Sequence, residues 1–482
     1  MSKWWRREME KGHVAIVGGG VAGVTAALAL GTLGVRVTLF EKGASLVGGP
    51  PFCHLHAGGN LYREISDDQC VALLRQSVEF ARLYPFVVDR RPTVIAVPTR
   101  DEGSPEALLP RLALLRDEYA KLVAADPANE VLGPPEGYFR LFDEAKLREL
   151  AERPLASSPP ENAEAWMVPA AKRLDVSKVK FPLILVQEYG LNMFRLAAGA
   201  KLALEAMEEV DLRLETSVTG IEPAHGGYRL AWRGRGGESG ICEADYLINA
   251  AGFLTGSIDD MLGIREKRMV EFKAAYTSLW RDRERFWPEV IFHGKRGTPR
   301  GMGQFTPYAG GYVQLHGMTK EITLFENGLA ASTEESSQPR LPETFLEWIE
   351  KGWPEEVICE RTRRAIDFLA YFIPGFAEAE VGGPPLFGAQ QIPGDDPELR
   401  VAEVAFPRAR YARCEIVKVS SATDMARAIA SDLAAEGLCD AAKPPATLPA
   451  LEALEEAAVA KEAARIALSR GYPEAMASLN VG

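Results

Sequence analysis

The chain has 482 residues, 47% of them hydrophobic and 25% charged, with a formal net charge of −12. That balance describes a folding globular protein long enough for two intertwined domains and a helical appendage. It excludes nucleic acid as a main partner, because phosphate binding needs a basic surface.

The six cysteines (Cys53, Cys70, Cys242, Cys359, Cys414 and Cys439) are scattered, without a C-x-x-C pair or metal-ligand spacing. This usage suits a reducing cytoplasm and argues against a disulfide framework, a redox dithiol and a metal site. No run approaches the ~18 uninterrupted apolar residues of a spanning helix. Residues Met1–Gly12 lack the apolar core of a secretory signal. Trp4-Trp5 beside Arg6-Arg7 reads as a terminal tail, with peripheral membrane contact the less favoured alternative.

In chain order, His13–Val17 is a short apolar strand, Val21–Leu33 an Ala/Leu-rich helix and Val35–Phe40 a β-branched strand. A strand–helix–strand this short makes its two strands parallel neighbours. Asp67–Leu83 carries helical spacing. Thr93–Val97 reads as a strand, and Leu108–Ala124 and Glu144–Glu152 as charged helices of inserted material. Asn192–Glu208 is a strong helix, followed by strands at Asp211–Leu214, Tyr228–Trp232 and Ala244–Ala250. From Arg268 to Phe325, aromatic and β-branched runs alternate with Gly- and Pro-bearing turns, which predicts an antiparallel sheet. Leu399–Ala405 and Glu415–Val419 read as strands, Ser420–Glu436 as a closing helix, and the Ala- and Glu-rich tail beyond Ala441 as a peripheral helix without chemistry.

The pattern gives an α/β fold: a Rossmann-type domain, an interleaved antiparallel-sheet substrate domain and a C-terminal helical tail. The expected division assigns residues 13–88, 191–265 and 386–437 to the first domain, 89–190 and 266–385 to the second, and 438–482 to the tail.

Gly18-Gly19-Gly20-Val21-Ala22-Gly23 fits G-x-G-x-x-G between the first strand and the first helix, the context that gives the motif meaning. Gly18 permits the tight turn, Gly20 lets backbone approach a pyrophosphate, and Gly23 lets helix and strand pack closely. The helix N-terminus, through Val21 and Ala22, turns unpaired N–H groups and a partial positive charge toward the phosphates. Glu41, 18 residues after Gly23 and followed by Lys42, closes the second strand. Its carboxylate can accept the adenosine ribose hydroxyls and would repel a 2′-phosphate, favouring FAD or NAD over NADP.

Four ordered segments resemble the D-amino-acid-oxidase-like superfamily of FAD-dependent flavoproteins, which includes glycine and sarcosine oxidases and 2-hydroxyglutarate and glycerol-3-phosphate dehydrogenases. They are the Gly18–Glu41 unit, Cys53-His54-Leu55-His56-Ala57-Gly58-Gly59, Ile248-Asn249-Ala250-Ala251-Gly252, and the stretch Phe305–Thr319. Weaker agreement continues through Ile373-Pro374-Gly375-Phe376 and Gly394-Asp395-Asp396, so the resemblance covers roughly residues 13–437. It implies FAD as cofactor, with Ala251 and Gly252 beside the adenine-diphosphate portion. The Ala57-Gly58-Gly59 backbone can approach the ribityl and flavin portions closely.

The resemblance also implies roles near the flavin. His56 matches a histidine that carries the flavin covalently in some relatives and approaches the ring in others, although Leu55 replaces the usual tryptophan. His316 ends a substrate-domain strand and is a suitable base, and Gln314 alternates with it on the same face. Lys418, Ser420 and Ser421 lie at the start of the closing helix, whose dipole would stabilise negative charge on reduced flavin. The family's G-x-R-P carboxylate clamp is replaced by Gly388-Ala389-Gln390-Gln391-Ile392-Pro393, leaving Arg408, Arg410 or Arg413 as substitutes.

The reading is thus an FAD-dependent dehydrogenase or oxidase acting on a carbon bearing a hydroxyl or amine of a small organic substrate. Its electron acceptor is oxygen, a quinone or a carrier protein. Flavin-dependent monooxygenation, and a noncatalytic FAD-stabilised subunit of a larger complex, are the alternatives.

Overall fold

Five residues whose side chains are almost all buried, His13–Val17, form β1 inside a six-stranded sheet. Strand β2 (Arg36–Phe40) runs parallel to it with Val14 opposite Val37 and Val17 opposite Phe40. On its other side Tyr246–Asn249 pairs in parallel, Val14 opposite Tyr246. The strands Val210–Arg213 and Tyr411–Cys414 extend the parallel set, and Val404–Arg408 adds an antiparallel edge. Helix α1 (Val21–Thr32) connects β1 to β2; its residues from Ala22 to Gly31 are all buried, as expected of a crossover helix covered on both sides.

The computed structural model describes residues 12–49, 52–55, 65–281, 284–295, 298–317, 319, 328–440, 444 and 446–480. His56, Ala57, Gly58 and Gly59, and the Trp4-Trp5 pair, lie outside the described residues. No helix among those described is long and apolar enough to cross a membrane.

The second large element is a ten-stranded, mostly antiparallel sheet. It contains Thr93–Pro98, Phe139–Phe142 and Val179–Val186, then Arg268–Leu279, Glu289–Phe292, Gly303–Pro307 and Tyr312–Gly317. Arg268–Leu279 pairs with Tyr312–Gly317 and with Leu386–Pro393. One face carries an aromatic core of Trp280, Trp287, Phe305 and Phe376, with Phe292 stacked on Phe372. A small sheet of Phe52–His54, Gly190–Asn192 and Val88–Asp89 pairs with neither.

Two expectations fail near the C-terminus. The closing strands are Val404–Arg408 and Tyr411–Cys414, rather than Leu399–Ala405 and Glu415–Val419. The hairpin turns at Arg410, whose φ is 58°, and parallel pairing ends where Asn249 meets Arg413. Residues after Cys414 therefore have no strand to continue along, and the closing helix starts at Ala422 after a short 3-10 turn.

The tail is not peripheral. The Glu456–Ser469 helix buries Val459, Ala463, Ile466 and Ala467 against the Met193–Glu205 helix and joins the main core. Small alanines on its inner face allow that close approach. Arg195 holds Glu456 with Nη2 at 2.6 Å from either carboxylate oxygen.

Candidate functional site

The glycine turn is constrained by contacts on all but one side. Gly18 sits at φ 108°, and a Cβ there would lie 2.3 Å from the Ala250 carbonyl oxygen. A Cβ on Gly23 would lie 1.9 Å from the Gly18 carbonyl oxygen, so Gly23 serves packing of turn and helix. At Gly20 an added Cβ would meet nothing within 4 Å, because the position opens onto a cavity. Helix α1 has neither a side-chain cap nor an acidic residue in its first turn. Its opening amides and positive end are suited to an anion.

Glu41 lies beside this turn. Its Oε2 accepts from Gly19 N at 2.7 Å and its Oε1 from Gly43 N at 2.6 Å. A carboxylate has about four lone-pair sites, so acceptor capacity remains for a ribose. The chain then passes through Val47, a β-branched residue at φ 53° whose N–H donates to Gly19 O at 2.9 Å. From the sequence, residues 43–59 are only a polar, Pro/Gly-rich connection, although Gly48-Gly49 permit close backbone approach.

The cavity has a volume of about 1410 Å3. Ordinary small-molecule pockets hold ~300–1,000 Å3, so it can take a dinucleotide with space for a substrate. Gly18, Gly20, Val21, Ala22, Glu41 and Lys42 line one end, and Ala251 and Gly252 adjoin them. Gly23 does not line it. At the sheet end, Gln304, His316 and Gln314 line the wall together with Gly388–Gln391. Gln304 and Ala275 are both directly opposite His316 on neighbouring strands, so the three form one row. Gln314 lies two residues before His316 and shares its face, as strand periodicity predicts.

Lys418 is buried and lines the cavity with Val417 and Val419. Ser420 and Ser421 are buried away from it, and Ser421 Oγ donates to Gln76 Oε1 at 2.8 Å. The substitute arginines do not line it either. Arg413 is bound to Asp259 at 2.9 Å and Glu415 at 2.5 Å, Arg410 holds Glu436 at 3.0 Å, and Arg408 is exposed. Arg100, Arg300 and Arg400 line the cavity instead.

His54, quoted in the resemblance but given no role, occupies the cavity wall at the centre of a buried ionic cluster. Its Nε2 lies 3.0 Å from Glu188 Oε2 and its Nδ1 3.2 Å from Glu289 Oε1. Glu289 also accepts from Arg91 Nη1 at 2.8 Å and from the Gln304 amide. Burial alone would lower the His54 pKa, but Glu289 and Glu188 outweigh it and raise the value to about 9. Burial likewise opposes ionisation of Glu289, yet His54 and Arg91 pull its carboxyl down to about 2. His54 is therefore an imidazolium at neutral pH. An ionised Glu289 only accepts, so Gln304 must donate to it with its amide nitrogen.

Among solved structures the fold resembles the glycerol-3-phosphate dehydrogenase from Bacillus halodurans complexed with FAD, with TM-score 0.54, 13% identity, and 97% of this chain and 74% of that one covered. It also resembles the L-amino acid deaminase from Proteus vulgaris, with TM-score 0.56, 14% identity, and 93% and 96% covered. For glycine oxidase from Geobacillus kaustophilus the values are 0.51, 14%, 88% and 95%. No curated protein matches the chain. Residues 13–389 match the family described as FAD dependent oxidoreductase (DAO), more than three-quarters of the sequence. A glycine turn open at Gly20, Glu41 beside it and a cavity reaching an antiparallel sheet suit a dinucleotide such as FAD, and the chain belongs to this family of FAD-dependent oxidoreductases.

Proposed function

We propose that the protein takes a hydride from a carbon bearing a hydroxyl or amine of a small organic substrate and passes the electrons to oxygen, a quinone or a carrier protein. One observation carries the reading: a single cavity joins the glycine turn to a row of polar side chains, Gln304, His316 and Gln314, on the antiparallel sheet. When bound, FAD supplies the acceptor for two electrons.

The chain's own residues then have assignable tasks. Val21 and Ala22 N–H groups and the α1 dipole hold the diphosphate, Glu41 takes the ribose hydroxyls, and Ala251 and Gly252 pack beside them. His316 Nδ1 lies 3.1 Å from Ala274 O. A carbonyl only accepts, so Nδ1 carries the hydrogen, which leaves Nε2 as the nitrogen that can act as a base. His316 Nε2 takes the substrate's hydroxyl or ammonium proton as the hydride leaves the adjacent carbon. Lys418 sets positive charge beside the cavity where negative charge develops.

The division into a Rossmann-type domain (13–88, 191–265, 386–437), a substrate domain (89–190, 266–385) and a tail is part of this proposal. The two large sheets draw their strands from these segments in alternation, except that Leu386–Pro393 joins the antiparallel sheet rather than the parallel one. A cytoplasmic setting is also proposed, supported by Cys70, Cys242, Cys359, Cys414 and Cys439 all being free thiols.

The test is anaerobic bleaching of the bound flavin by 2-hydroxy acids and secondary amines. Glycerol-3-phosphate and glycine join the panel because similar structures carry those names. Reduction by a member of either class is expected; no reduction by any of them would overturn the proposal.

A further inference from the structure

The C-terminal segment falls outside the matched residues 13–389, yet it reaches the glycine-turn end of the cavity. Arg470 closes the Glu456–Ser469 helix. Its Nη1 donates to Val47 O at 3.0 Å and its Nη2 to Leu46 O at 2.5 Å. Nη2 and Nε both donate to Ser45 Oγ, at 2.9 and 3.1 Å. The guanidinium also lies over the Phe194 ring, 5.7 Å from its centroid.

Two features need an explanation. Among the described residues no carboxylate forms an ion pair with Arg470; burial lowers its pKa to about 10 against the weaker pull of Tyr472 and Glu41, so the partly buried guanidinium stays charged at neutral pH. A guanidinium held this far from water without a direct ion pair favours a further anion nearby. The loop it grips is also strained, because a β-branched Val47 at φ 53° persists only where its surroundings hold it. Val47, Gly48 and Gly49 line the cavity with Gly20, Val21 and Ala22, where the diphosphate's negative charge belongs.

We propose that Arg470 is a positioning residue for FAD: it clamps residues 45–47 against the glycine turn from the C-terminal region and offsets the charge of the cofactor's diphosphate. This rests on the reading that the diphosphate lies at Gly18–Ala22. Arg470 does not line the cavity, so its effect on the cofactor is exerted through Ser45, Leu46 and Val47.

The experiment is titration of flavin-stripped protein with FAD, followed by flavin fluorescence, for the wild type and for R470M, R470K, S45A and R465A. Losing hydrogen bonds from a partly buried charged group costs enough to raise Kd about 10–100-fold in R470M. R470K should recover part of that loss, and S45A should weaken binding several-fold. R465A, on the same helix with only the Glu462 partner, should bind as the wild type does. ADP, which carries only the diphosphate end, should weaken by the same factor as FAD in R470M.

Wild-type affinity in R470M, or a loss for FAD that ADP does not share, would overturn the proposal. Should R470M fail to fold, S45A decides alone, and an unchanged Kd there overturns it. A wild type that binds no FAD would overturn the cofactor reading itself, a result distinct from equal affinities among the variants.

Discussion

Substituting Glu289 by Gln preserves its shape and removes the charge that His54 and Arg91 both face. His54 stands at about 9 in the fold against an ordinary 6.5. At ~1.36 kcal/mol per pKa unit this corresponds to about 3 kcal/mol of stabilisation of the imidazolium, shared between Glu289 and Glu188. Arg91, fully buried, loses its 2.8 Å partner as well, which keeps the expected loss near ~3 kcal/mol, within the range for breaking a buried ion pair.

The pH dependence has a definite sign. The His54 contribution, from a raised pKa, is complete below pH 6.5 and disappears as pH rises through about 9. The Glu289 contribution, from a lowered pKa, is complete above 4.5 and disappears as pH falls through about 2. Urea unfolding of flavin-free E289Q should therefore differ most from the wild type between about pH 5 and 6.5, and the difference should shrink toward pH 10. A difference below ~1 kcal/mol, or one identical at pH 6 and pH 10, would refute the charged cluster.

His316→Asn should leave FAD binding unchanged and slow flavin reduction by any substrate that bleaches the wild type, by about 10²–10⁴-fold for loss of a general base. Stopped-flow reduction rates check this, and an unchanged rate would remove His316 from proton transfer. Gly23→Ala should destabilise even the flavin-free fold, since the added Cβ would lie 1.9 Å from Gly18 O. Thermal unfolding of the apo form measures the effect, and a wild-type midpoint would contradict the packing described.

The βαβ unit was legible because everything that specifies it is local: an apolar strand, a glycine turn, an alanine-rich helix and a second strand within 28 residues, His13 to Phe40. His316 came from the family resemblance, and strand periodicity put Gln314 on the same face. Other parts depend on contacts that no local pattern records. His54 meets Glu188 across 134 positions, and Arg470 meets Ser45 across 425. Ser420 and Ser421 were displaced from the cavity because the last parallel strand stops at Cys414, a limit imposed by the length of its partner Tyr246–Asn249. The tail's alanine and glutamate content suggested a peripheral helix, yet its alanines form part of the face that packs on Met193–Glu205.

FAD binding by Gly20→Val bears most directly on the cofactor's position. A side chain there would meet no protein atom near its Cβ and would project into the space assigned to the diphosphate. The variant should match the wild type in apo-protein stability while failing to retain or rebind FAD, giving a colourless protein. A yellow G20V protein with wild-type affinity would place the diphosphate elsewhere.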